Sequence, residues 1–230
     1  MSTPEFTAVR ETLDRQALQQ YIDLTPRQLS FQHCVFDGED LEGLALGQAL
    51  FVGCSLAGTR LRRASLTGTR WRGCRAGGAD FELADLTDAS FESCDLNNTQ
   101  WRRARLSSAA FVEVKLTGAR FTEAQTLGMR LAQSLAVNAD LRGMSFRKQV
   151  LDGLNFEGAD LSGCDFTDTV WQECSLANAA LKGARFARAD LRRARLGEVQ
   201  VGDLLQHYQG SIMSVDQAAA IVAALGVQVI

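Results

Sequence analysis

The side chains of this 230-residue chain best suited to covalent or metal chemistry are six cysteines and two histidines. Cys34, Cys54, Cys74 and Cys94 follow one another at intervals of twenty, and Cys164 and Cys174 come later. Thiols recurring in this way should form a column, which could in principle oxidise or take a metal. No CxxC pair or Cys/His ligand cluster is present, and the two histidines, His33 and His207, lie far apart in the sequence. No nucleophile has a neighbouring His or carboxylate in a recognisable arrangement, and no phosphate-cradling glycine loop occurs. The reading is therefore a chain that is not an enzyme and carries no cofactor or metal. Its cysteines act as small buried hydrophobes, interchangeable with Ala and Thr, and free buried thiols suit a reducing compartment.

What positions these cysteines is a period of five. Stepping by five from Phe31 to Val201 visits 35 positions, and only Ala76, Thr126 and Ala136 are not Leu, Phe, Trp or Val. Eleven of the twelve Phe residues and all three Trp residues (Trp71, Trp101, Trp171) sit in that register, so these positions face inward. Two residues earlier lies a second inward position, because i and i−2 point to one side of an extended strand. It holds small residues such as Ala49, Ala64, Thr69, Ala79 and Thr99, and all six cysteines. The remaining three places in each five are outward or turning.

Two residues inside and three outside make one short strand and a corner, which cannot bury its apolar side chains alone, so copies must stack. Residue identity recurs at twenty: Phe31, Phe51, Trp71, Phe91 and Phe111 form one series, and Leu46, Leu66, Leu86 and Leu106 another. Four sides of five residues therefore make one coil of a squarish solenoid, with like residues stacked on one another.

The units "ADLTD", "ADLSG", "CDLNN", "ADLRR" and "ADFEL" resemble the A(D/N)LXX motif of the pentapeptide-repeat family. The resemblance covers about Leu29 to Val201. It implies an all-β solenoid, a right-handed quadrilateral β-helix, with helical ends.

Three segments are expected: an N-terminal helical cap over 1–28, the β-helix over 29–201, and a C-terminal module over 202–230. "TAVRETLDRQALQQYI", Thr7 to Ile22, places Val9, Leu13, Ala17 and Tyr21 at helical spacing with Pro26 as a stop, and reads as an amphipathic helix covering the first coil. Ser214 and Gln217 form a capping box for a second helix, which Gly226 ends. A short strand, "VQVI", follows. Ala218, Ile221, Val222, Leu225, Val227, Val229 and Ile230 are the candidate dimer interface, the alternative being burial against the last coil.

This helix followed by "ALGVQVI" resembles the C-terminal dimerisation module of the Qnr, McbG, AlbG and MfpA branch. That branch protects DNA gyrase and topoisomerase IV from inhibitors, so the resemblance implies a topoisomerase partner, a homodimer and antibiotic resistance or self-immunity. "AQTLGMRLAQSLAVNA", Ala124 to Ala139, is the weakest stretch of the repeat, and resembles in position a loop with which Qnr-type proteins touch the topoisomerase. That carries a partner-binding role to Thr126, Leu127, Gly128, Met129 and Arg130; simple repacking of the coil is the alternative.

The mechanism the branch implies is mimicry of DNA by an acidic rod, and the charges test it. Residues 30 to 201 contain 21 Asp/Glu and 21 Lys/Arg, so the solenoid is neutral, and the formal charge of −3 comes from the ends. Asp85, Asp88 and Asp95 form a candidate acidic surface, joined further along by Asp165 and Asp168. A neutral rod lacks the phosphate-like field that would steer it to a basic saddle. Shape and loop contacts must then contribute more, and an interaction scaffold for another pathway is the competing reading. Bulk charge gives no reason to expect direct nucleic-acid binding. With no signal peptide and no apolar run long enough to span a membrane, the expectation is a cytoplasmic protein.

Overall fold

The computed structural model describes residues 6–24 and 28–229. They fall into two compact units, divided between Ser134 and Leu135. The division lies inside the stretch where the repeat is weakest.

Each five residues make one side and one corner of a coil for a local reason. Two residues after the large inward residue the backbone takes positive φ at corner after corner up to Arg188, as at Gly58 (64°), Asn98 (58°) and Leu83 (61°). At corners such as Leu56–Thr59, the amide of Thr59 donates to the carbonyl of Leu56 at 3.2 Å, closing a type II turn that requires positive φ at its third residue. The acid of "ADL" secures the same corner. Oδ1 of Asp80, Asp85 and Asp95 each accepts from the amide two residues on, at 2.9, 3.1 and 3.2 Å, which is why Asp or Asn stands there.

In the first unit β1 (Phe6–Val9) is followed by α1 (Arg15–Leu24). Then come β2 (Leu29–Gln32), β3 (Leu50–Val52), β4 (Arg70–Arg72), β5 (Ser90–Glu92), β6 (Ala110–Val112) and β7 (Arg130–Ala132). Strands β1 to β7 form one parallel sheet in chain order, with Phe31, Phe51, Trp71, Phe91, Phe111 and Leu131 in register. In the second unit, β8 (Val150–Asp152), β9 (Val170–Ser175) and β10 (Asp190–Arg195) form a second parallel sheet, and α2 (Val201–Gln206) and α3 (Val215–Ala223) follow. The other sides of the coils are joined by single parallel bridges, such as Val35 to Ser55, Asp40 to Arg60 and Ala45 to Ser65. Each unit is built as the expected right-handed quadrilateral β-helix, with α1 in the first and α2 and α3 in the second.

Stacking at twenty puts ring upon ring. Phe51 and Trp71 lie 4.0 Å apart, and Phe81 and Trp101 4.2 Å apart, with their planes nearly parallel. Each Trp has a Thr two residues earlier, and each indole N–H donates to that hydroxyl: Trp71 to Thr69, Trp101 to Thr99 and Trp171 to Thr169, at 2.8–2.9 Å. These threonines are therefore acceptors in an apolar core as well as small fillers.

Both ends depart from the sequence reading. The helix expected over Thr7 to Ile22 starts only at Arg15, because the preceding residues pair as β1 with the edge of β2, Ala8 opposite Phe31. An unpaired strand edge needs hydrogen-bond partners, and this need overrides the helical spacing of Val9 and Leu13. Pro26 lies outside the described residues. At the other end Val201 leaves the inward register and opens α2, which the repeat did not foretell. The ring of Tyr208 then packs at a tilt against Phe186 at 5.3 Å, and Ile212 bridges Asp190, so a partial coil closes the stack. Val227 to Val229 form no strand, since no strand edge is paired with them. Ile230 lies outside the described residues.

Candidate functional site

All six cysteines are buried and unbridged. Most of their thiols donate to backbone carbonyls of the preceding turn of chain, as Cys54 to Phe31 at 3.3 Å and Cys74 to Phe51 at 3.4 Å, whereas Cys94 donates to the Glu92 carbonyl of its own coil at 3.3 Å. Burial pushes the Cys164 thiol up to about 12. Among the described residues no group of three His, Cys, Asp or Glu side chains could hold a metal ion.

The stretch from Ala124 departs from the repeat in side chains and keeps its backbone. The amide of Met129 donates to the carbonyl of Thr126 at 3.0 Å, and Gly128 takes φ of 72°, as at any other corner. Of the two readings, loop or repacked coil, the structure shows a repacked coil. Thr126 is too small for its position and is half-buried, as is Ala124, while Met129 is buried in the small position. Leu127 points outward and is 83% exposed, and Arg130 is exposed at the start of β7. Thr126 to Arg130 therefore present one bare leucine on a regular corner.

The candidate acidic surface does not assemble. Asp85 bridges Ser65 and Arg105 on one side of the coil, whereas Asp95 lies between Arg75 and Lys115 two sides away, on the opposite face. Asp85 and Asp95 each use one oxygen on their own corner, and Asp85 is also paired with Arg105 at 3.3 Å. Burial pushes the Asp85 carboxyl up, but its bonds to Thr87 and the Arg105 charge outweigh this and hold it below the usual range. Asp88 occupies a positive-φ corner.

In the second unit Asp165 is nearly buried between Arg147 (3.2 Å) and Arg185 (2.8 Å). Burial pushes its carboxyl up, but bonds from Thr167 and the two guanidinium groups outweigh this and leave it below the ordinary value. The Arg188 guanidinium beside Asp168 holds that carboxyl down as well. Pairs of this kind join residues about one coil apart throughout, among them Arg60 with Asp40, Arg72 with Glu92 and Arg193 with Glu173. Ladders of alternating sign spend charge on neighbouring coils.

The C-terminal module has two faces on one helix. Gln217, Ile221 and Ala224, spaced four and three apart, line a groove against the last coil, and Ile221 is buried there. Ala218, Val222 and Leu225, one residue on, are exposed. The single apolar stripe read from the sequence is thus split, and Ile221 is withdrawn from any partner. Val227 and Val229 are half exposed, and Leu205 and Val215 are 76% and 84% exposed.

Gln217 has a role the capping box did not suggest. Its Oε1 accepts from the Ser214 amide (2.7 Å), and its Nε2 donates to the carbonyls of Leu191 (2.8 Å) and Ala194 (2.7 Å). It therefore caps both the helix and the strand edge of β10. Only its offset of about one coil from β10 could have hinted at this.

A family model described as "Pentapeptide repeat region" matches residues 27–101 and 84–166, and one described as "Pentapeptide repeats (8 copies)" matches 172–200. No curated protein sequence matches the chain. Among solved structures, two trypsin-treated forms of QnrB1, a plasmid-mediated fluoroquinolone resistance protein, are similar with TM-scores of 0.69 and 0.63 and identities of 21% and 22%. Each comparison covers 98% of both chains. HetL, a pentapeptide repeat protein involved in heterocyst differentiation regulation from the cyanobacterium Nostoc, is similar with a TM-score of 0.59 and 19% identity, over 88% of this chain and 91% of that one. At these identities the likeness is one of fold. No helix among the described residues is long and apolar enough to cross a membrane.

Proposed function

We propose, from the premise that this chain belongs to the pentapeptide-repeat family, that it acts by binding a type II topoisomerase, DNA gyrase or topoisomerase IV, and protects it from fluoroquinolone-type poisons. The observation that carries the reading is the likeness to QnrB1 along nearly the whole of both chains. The fold presents closed, inert walls, so the useful chemistry is at the outward positions. Because the ion pairs run between adjacent coils, little net field remains to draw the protein to a basic surface. Recognition then rests on shape and on apolar points such as Leu127. Two copies joined through Ala218, Val222 and Leu225 would cover the outward face of α3.

Supercoiling by gyrase in the presence of a fluoroquinolone, with the protein titrated in, tests this directly. Rescue at modest stoichiometry is expected, weakened by Leu127→Asp in a chain that folds normally. No rescue at any concentration refutes it. The second reading, an interaction scaffold for another pathway, is favoured by the same self-neutralised surface, and capture of a partner other than a topoisomerase would support it.

A further inference from the structure

The outer edge of the last coil is only partly closed. On inner coils the amide at a large inward position donates to the next coil, as Phe156 does to Ser175 (2.9 Å) and Leu176 to Arg195 (2.7 Å). Leu196 is the equivalent on the last coil, and among the described residues neither its amide nor that of Glu198 has a backbone acceptor. Helix α3 stands over this edge, held by Ile221, its one buried side chain, and by the two bonds from Gln217. Between helix and edge lies a groove of about 760 Å³, with Leu196 and Val199 along the coil and Ala220, Ile221 and Ala224 along the helix. A coil edge with free amides, bordering an apolar groove beneath a helix, is suited to an added extended segment.

We propose that the occupant is this chain's own segment Val227–Val229, which closes the groove as an additional strand. Four features converge on it. The segment begins three residues after Ala224, which already lines the groove. Gly226 has φ of 79°, a conformation that ends a helix and reverses the chain. Val227 and Val229 alternate with Gln228, so one strand face would bury both valines, which otherwise stand 53% and 51% exposed. The groove follows α3 from Asp216 to Ala224, roughly 12 Å at the helical rise, and three extended residues cover about 10 Å. Closure leaves Val222 and Leu225 on the outward face for a second copy. The inference does not depend on the topoisomerase reading, since a scaffold would close its last coil in the same way.

The test is amide hydrogen exchange at Leu196 and Glu198, measured by NMR on the full chain and on the double variant Val227→Asp/Val229→Asp. Exchange about tenfold or more faster in the variant is expected. In the unsubstituted chain the rates should not change on dilution, and the α3 amides serve as an internal reference. Should the α3 amides also lose protection, the milder Val227→Thr/Val229→Thr pair is read in its place. Equal rates in chain and variant overturn the proposal. Protection that falls on dilution also overturns it, because the segment of a second copy would then be the occupant.

Discussion

Replacing Thr99 by Val keeps the shape of a fully buried side chain and removes only its hydroxyl. That hydroxyl accepts from Trp101 Nε1 at 2.8 Å and donates to the Leu96 carbonyl at 2.6 Å. After the change the indole N–H, inside a stack between Phe81 and Phe121, has no acceptor and no route to water. A buried donor left unpaired costs about 1–3 kcal/mol. The lost hydroxyl bond, about 1 kcal/mol, is roughly offset by the added methyl, about 0.8 kcal/mol. The net expectation is a loss of about 2 kcal/mol, above the typical single substitution of about 1 kcal/mol and of the size a buried unsatisfied polar group produces. Trp101→Phe removes the N–H, so in that background Thr99→Val should be nearly neutral, giving a coupling of about 1–2 kcal/mol. Urea unfolding of the four proteins of this cycle, followed by far-UV circular dichroism, measures it. A single-variant cost under about 0.5 kcal/mol, or the same cost in both backgrounds, would refute the reasoning and reduce these threonines to fillers.

Leu83 holds a left-handed corner at φ 61°; relieving it with Leu83→Gly should leave stability unchanged or raise it by about 0.5 kcal/mol, the strain removed slightly exceeding the entropy glycine brings to the unfolded chain, and a loss above 1 kcal/mol in thermal unfolding would contradict this. None of the six thiols should react with a disulfide reagent in the folded protein, and all six should react in denaturant; one fast native thiol would show an open coil. Burial and the Asp203 charge raise Tyr208 to about 12. Its neutral form is therefore favoured in the fold, and that contribution is complete below the ordinary phenol value and is lost as pH rises through about 12. The C-terminal module should loosen over that window, and Tyr208→Phe should remove the dependence; an unchanged alkaline transition by circular dichroism would exclude Tyr208 as its source.

The solenoid is legible because nearly every five residues repeat one physical demand, a large residue and a small one inside with a corner at positive φ, and several add an Asp or Asn that binds the corner amide. Val9 and Leu13 misled because a spacing of four fits a helix, whereas pairing with β2 is a long-range demand that no local pattern records. The split of α3 into a face at Gln217, Ile221 and Ala224 and a face at Ala218, Val222 and Leu225 depends on how the helix is set against the coil. Asp85 and Asp95 looked like neighbours at ten residues apart, yet ten residues are half a coil and place them on opposite sides. The same arithmetic of twenty sets charges of opposite sign on adjacent rows, as Arg105 with Asp85 shows. The repacking at Thr126 and Met129 was visible as a lapse in the motif, but whether a loop would leave the coil there was decided by the unbroken corner bond from Met129 to Thr126.

The claim that this protein binds a topoisomerase through shape and apolar contact is tested most directly by its affinity for purified gyrase across a range of salt. The account predicts saturable binding that weakens less than about tenfold between 50 and 200 mM salt, where a partner held by six to ten phosphate-like contacts loses roughly 10³–10⁵. No binding at low salt, or a loss on that phosphate-like scale, would contradict it.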